Sequence, residues 1–149
     1  MNFEKQAETL NDLVLINNDR VEGYQKAMDE LKDEDADLKT LFQDRVAESR
    51  KFHTELVAQV SKVGEEIAEG TKTTGKIYRA WMDVKAFFGG NSRKVILDNC
   101  EDGEDAALRA YESALECENL TPEQRDLIIR QQADIKISHD KIKALRDAQ

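Results

Sequence analysis

A chain of 149 residues is long enough for one domain with a buried core, and its single proline and seven glycines leave long uninterrupted stretches for helices. Charged residues make up 36% of it and the net charge is −9 with no clustered basic face, which argues against nucleic acid and an anionic membrane as partners. The first residues hold no apolar signal core and no apolar run approaches the ~20 residues of a membrane span, so the expectation is an acidic cytoplasmic protein in one domain, 1–149.

The first predicted helix runs from about Phe3 to Lys32. Leu10, Leu13, Val14, Asn17, Val21, Tyr24, Met28 and Leu31 recur at three- and four-residue steps and form one stripe. The acidic turn Lys32-Asp33-Glu34-Asp35-Ala36-Asp37 ends it, with Asp35 or Asp37 expected to cap the next helix. That second helix is expected over about 37–69. It turns Leu38, Phe42, Val46, Ser49, His53, Leu56, Val57, Val60 and Val63 inward, and Gly70 breaks it.

A shorter helix is expected over about 76–88, with Ile77, Trp81, Val84 and Phe88 on one face and Gly89-Gly90 stopping it. Asn91 or Ser92 then caps a helix over about 92–118, whose inward positions are Ile96, Cys100, Gly103, Glu104, Ala107, Tyr111 and Ala114. Thr121-Pro122-Glu123-Gln124 is a strong helix start, with Thr121 as cap, Pro122 at the first position and Gln124 closing a capping box. The last helix runs to about 147 and presents Ile128, Gln131, Ile135, Ser138, His139, Ile142 and Leu145.

Short links join the first pair of long helices and the last pair, so each pair reads as an antiparallel hairpin. The segment between the pairs, about 70–92, is long enough to cross back along the second helix, which leaves either a single long crossover or an up-down-up-down order. A faint internal repeat fits two related hairpins: Asp19-x-x-Glu22 matches Glu101-x-x-Glu104, and Glu48 with His53 matches Asp134 with His139. Cys100 and Cys117 fall on one predicted helix roughly 25 Å apart at ~1.5 Å per residue. They cannot bridge one another and read as reduced thiols.

Two histidines, His53 and His139, stand at matching places on inward faces. A di-iron carboxylate centre needs a glutamate three residues before each histidine, so that both side chains project from one face. Arg50 and Lys136 occupy those positions, and cations repel iron. Asp19 and Glu22 read as lying away from the first stripe, where the inward polar residue is Asn17. Glu104 is the one strongly inward carboxylate. With His53 and His139 it makes a candidate ligand set for a single iron or zinc, short of a di-iron site.

The alternative is a protein-only polar layer. Arg45 falls on the inner face of the second helix, and an unpaired interior charge is costly. Pairing of Arg45 with Glu104 is therefore expected, with Asn17, Tyr24, Ser49, Tyr111, Gln131 and His139 satisfying the remaining donors and acceptors. No nucleophilic-cysteine arrangement and no phosphate-binding glycine pattern is present. Trp81 is expected to clamp the short helix over the first one near Leu15, Ile16 and Asp19. The other reading makes Trp81, Phe87 and Phe88 an interaction surface for a homodimer or an unidentified protein partner.

Several phrases resemble a family of small bacterial ferritin-like four-helix-bundle proteins that carries a domain of unknown function. They are Leu10-Asn11-Asp12-Leu13, Asp19 with Gly23-Tyr24, Arg79-x-Trp81, Cys100-Glu101-x-Gly103-Glu104-Asp105, Tyr111, and His139-Asp140 with Leu145-Arg146-Asp147. The resemblance implies an all-α, ferritin-like bundle of two antiparallel hairpins with a short extra helix in the crossover, and a bacterial, cytosolic origin. It implies no substrate. His53 departs from the family, which places a small residue there. The resulting expectation is a non-catalytic bundle protein without a cofactor, stress-associated and acting through its surface. The second expectation is an iron- or zinc-binding relative with a degenerate or mononuclear site.

Overall fold

The computed structural model describes residues 2–67 and 92–149. Helix α1, Phe3–Glu30, starts where the Asn2 side chain accepts a hydrogen bond from the Lys5 N–H at 3.0 Å, satisfying one of the donors a helix start leaves open. Its apolar stripe, Leu10, Leu13, Val14, Tyr24 and Ala27, is fully buried. Leu31 then adopts an extended conformation and a short 3-10 turn, Asp33–Asp35, leads directly into helix α2, Ala36–Lys62.

That direct entry changes the role expected of the acidic turn. Neither Asp35 nor Asp37 closes the start of α2 as proposed. Asp35 is the residue before the helix but makes no side-chain cap. Its carboxylate turns back to the Lys32 N–H at 3.4 Å and across to Arg93 at 3.1 Å. Asp37 sits within the first turn and accepts from Arg93.

α2 also ends earlier than the apolar pattern suggested. Gly64 takes φ of +75°, a left-handed conformation that L side chains rarely adopt, and its N–H bonds the Ser61 carbonyl at 3.1 Å. A Cβ there would meet no atom within 4 Å, so conformation and not crowding selects glycine. The short helix expected over 76–88, with Trp81, Phe87, Phe88 and Gly89-Gly90, lies outside the described residues.

Helix α3, Arg93–Leu115, is capped by Ser92, whose hydroxyl accepts from the Val95 N–H at 3.4 Å. It stops at Leu115, so Cys117 lies just beyond the helix that holds Cys100; both thiols are free. Helix α4, Pro122–Asp147, opens with the full capping box: Thr121 Oγ1 accepts from the Gln124 N–H at 3.1 Å and Gln124 Oε1 from the Thr121 N–H at 2.9 Å. Arg125 donates to the carbonyls of Leu115 and Cys117 at 2.8 Å each, tying the exposed end of α3 to the start of α4.

Contacts at the helix ends set the directions. Gln124 Nε2 donates to Gln6 Oε1 at 3.0 Å, so α1 and α4 begin at one end. Lys62 and Gln59, late in α2, donate to Glu123 at 2.8 and 3.1 Å, so α2 finishes there. Arg93 joins the starts of α2 and α3 at the opposite end through Asp35 and Asp37. α1 and α4 are thus parallel, as are α2 and α3. α1 packs on α2 and α3, and α4 packs on α3 and more lightly on α2. Neighbours run antiparallel around a four-helix bundle, and α3 begins at the end opposite the one where α2 finishes.

The described residues contain no strand, and none of their helices is long and apolar enough to cross a membrane. One apolar cluster runs the length of the bundle, with Tyr24 and Phe42 in ring contact at 5.4 Å between centroids. α1 is covered on more than its main stripe. Asp12, Leu15, Ile16 and Asp19 are also buried, which corrects the placing of Asp19 away from the interior.

Candidate functional site

The positions Gln6, Leu13, Arg20 and Ala27 succeed one another at seven-residue steps along α1, and all four are fully buried. The heptad therefore carries a guanidinium into the centre of the bundle. Arg20 Nε donates to Glu104 Oε1 at 2.8 Å and Nη2 donates to Glu104 Oε2 at 2.9 Å, a two-point pairing that matches the planar fork to the carboxylate. Both side chains are fully buried. Ser138 of α4 adds a hydroxyl hydrogen bond of 2.5 Å to Glu104 Oε2.

Arg20 Nη2 also reaches Glu48 Oε1 of α2 at 3.1 Å, and Glu48 in turn receives Arg45 at 3.4 Å. The result is an alternating row, Glu104–Arg20–Glu48–Arg45, with two charges of each sign. The expected direct pair between Arg45 and Glu104 does not form. Arg45 is half-buried and reaches only one turn along its own helix, whereas Arg20 sits on the heptad that faces α3. Burial penalises the Arg20 charge, and Glu104 with its hydrogen bonds more than offsets that, holding the guanidinium above its ordinary value. The guanidinium carbon also lies 6.0 Å from the Phe52 ring centroid, a cation–π contact.

A second polar chain crosses the core nearby. Asn17 Nδ2 donates to the Leu13 carbonyl and to the Tyr111 hydroxyl, each at 2.8 Å. Tyr111 donates to Gln131 Oε1 at 2.7 Å. Gln131 Nε2 reaches the Phe52 carbonyl at 3.3 Å and Glu55 Oε1 at 3.2 Å. Residues of all four helices thus join in one line through the bundle. Burial raises the Tyr111 hydroxyl well above its ordinary range. It does the same for Tyr24, beside Ser138, and for Cys100, and the Glu104 carboxylate pushes both further in that direction. These groups stay neutral and act as packing and hydrogen-bonding elements.

Of the residues considered for a metal, Glu104 is engaged by Arg20 and Ser138. His53 on α2 is half-buried. His139 takes different partners. Its Nε2 is 2.8 Å from Asp105 Oδ1 and 3.6 Å from Glu101 Oε1, both on α3, and its Nδ1 is 2.9 Å from Asp140 Oδ1. Glu101 is also paired with Arg146, which reaches Asp98 at 3.5 Å. The structure therefore separates Glu104, in the core, from His139, at the outer seam of α3 and α4. Glu101, Asp105 and His139 offer ligand atoms all within 4.8 Å of one another.

Arg20 is not among the residues expected inside, although it stands seven residues from both Leu13 and Ala27 on the buried face of α1. Glu101 and Asp105 are a helical turn apart on α3, but only the packing of α4 brings His139 onto them.

No curated protein matches the chain. A family model described as a domain of unknown function, DUF2383, matches residues 5–117. The match spans α1, α2 and α3, with Arg20, Glu48, Glu101, Glu104, Asp105 and Tyr111 inside it. Gln131, Ser138 and His139, on α4, lie beyond it. Because the match covers most of the chain, this protein belongs to the DUF2383 family.

Proposed function

We propose that this chain is a ferritin-like bundle protein whose interior is closed by protein charges, and that it is non-catalytic and acts through its surface. The observation that carries the reading is the buried Arg20–Glu104 pair. A guanidinium joined at two points to the central carboxylate takes the lone pairs a metal would need and brings a positive charge to the place a cation would occupy. Support for the ferritin-like layout comes from the helix directions, with α1 parallel to α4, α2 parallel to α3, and a long connection between the hairpins.

Support for a surface role comes from α4, where Ile137 is 66% exposed and Ile129, 46% exposed, lines an open groove together with Leu108, Ala133, Glu112, Gln132 and Lys136. Scattered apolar side chains are ordinary on a surface, but two on one helix, one of them in a groove, suit a second copy of the chain or a protein partner in a stress-associated assembly.

Protein purified without chelator and then offered iron and zinc tests the interior. Stoichiometric metal that disappears in Glu104→Gln, with an unchanged far-ultraviolet spectrum, would overturn the reading. Sedimentation over a concentration series, with Ile129→Glu and Ile137→Glu alongside, tests the surface. Self-association lost in either variant is the expected result for a homodimer; a monomer at every concentration leaves a different protein as the only admissible partner.

A further inference from the structure

His139 is buried, with 8% of the residue and 11% of its side chain exposed, and its Nε2 has no hydrogen-bond partner. Asp105 Oδ1 stands close at 2.8 Å but off the line along which a ring N–H would point, so the contact is not a hydrogen bond. At the other nitrogen, Nδ1 is 2.9 Å from Asp140 Oδ1. A hydrogen on Nδ1 would be donated to that carboxylate, which leaves Nε2 as the acceptor nitrogen. In this tautomer the ring presents the Nε2 lone pair to two carboxylates, Asp105 at 2.8 Å and Glu101 at 3.6 Å. A lone pair and two carboxylate oxygens converging on one point can share a cation held between them.

We infer that Glu101, Asp105 and His139 form a mononuclear site for a first-row divalent transition cation at the outer seam of α3 and α4. The ligand chemistry is one imidazole and two carboxylates, which suits zinc, iron, cobalt or manganese. Glu101 and Asp105 are spaced one turn apart and so project together from α3. Arg146 engages Glu101 Oε2, which orients the carboxylate and leaves Oε1 on the His139 side. Asp140 supports the histidine from behind in the manner of a carboxylate–histidine–metal relay. Asp105 keeps 42% of its side chain exposed, so the seam is open to water, which would complete the coordination.

This site goes beyond the surface role proposed above and is separate from the Arg20–Glu104 centre, so each can fail alone. Calorimetric titration of the full chain with zinc, and visible absorption with cobalt, test it. One zinc per chain is expected, with saturable binding abolished in His139→Ala and weakened at least tenfold in Asp105→Asn. The supporting change Asp140→Asn should weaken it by about 10–100-fold. Asp105 is partly exposed, so its variant folds even if His139→Ala does not. Unchanged zinc affinity in Asp105→Asn, or no saturable binding by the wild type, would overturn the inference. Binding lost in Glu104→Gln but kept in Asp105→Asn would overturn both this site and the closed interior.

Discussion

Arg20 of α1 and Glu104 of α3 are joined at two points, 2.8 and 2.9 Å, with neither side chain touching solvent. Such a pair contributes little net stability against an apolar replacement of the same volume, but breaking it leaves a bare charge in the core. Arg20→Met should therefore lower unfolding stability by about 3–5 kcal/mol. Arg20→Met with Glu104→Leu should recover most of that loss. Urea denaturation of both variants checks this; a single variant as stable as the wild type would show that the pair is not the interior lock.

Tyr111 is the middle of the line from Asn17 to Gln131. Tyr111→Phe keeps the ring and removes the hydroxyl, leaving Gln131 Oε1 without a donor. The expected loss is about 1–3 kcal/mol, the penalty for a buried group left unsatisfied. Thermal melts of Tyr111→Phe and of the double variant with Gln131→Leu separate the hydrogen bonds from the packing, since the double variant should be closer to the wild type.

Arg93 holds the Asp37 carboxyl at about 2, through hydrogen bonds at 2.6 and 2.9 Å. A carboxylate that is more acidic folded than unfolded adds stability above its unfolded value of ~3.9. That contribution disappears as pH falls from about 4 toward 2. Asp37 is mostly exposed, so the effect is small and weakens with salt. Urea midpoints of wild type and Asp37→Asn should differ at neutral pH and converge near pH 2; a constant gap would remove Asp37 from the acid response.

Burial and Glu104 push the Cys100 thiol up, whereas Cys117 is half-buried just beyond α3. The thiolate is the reacting form, so Cys117 should react with a thiol reagent in the native protein and Cys100 only after unfolding. Mass spectrometry of alkylated peptides from native and urea-treated protein reads this directly. Rapid native labelling of Cys100 would contradict its burial.

The helices were legible in the sequence because their signals are local. Thr121, Pro122 and Gln124 close the start of α4 through bonds that span three residues, and the stripe from Leu10 to Tyr24 repeats with the helical period. The α2 stop is not where Gly70 was expected to put it: Gly64 ends the helix from inside an apolar pattern that continues past it.

The sequence by itself determined four long helices, two of their caps, and an interior containing Asn17, Ser49, Glu104, Tyr111, Gln131 and Ser138. Those properties follow from spacing and from hydrogen bonds made within a few residues. Only the tertiary structure decided which charges meet. Arg20 and Arg45 both fall beside apolar stripes, and nothing in their local sequence tells which one faces Glu104; the rotation of α1 against α3 does. The same holds for His139, whose neighbours Glu101 and Asp105 belong to another helix. Partner choice in a bundle is a property of helix rotation and offset, which depend on packing along the whole interface and not on any one residue.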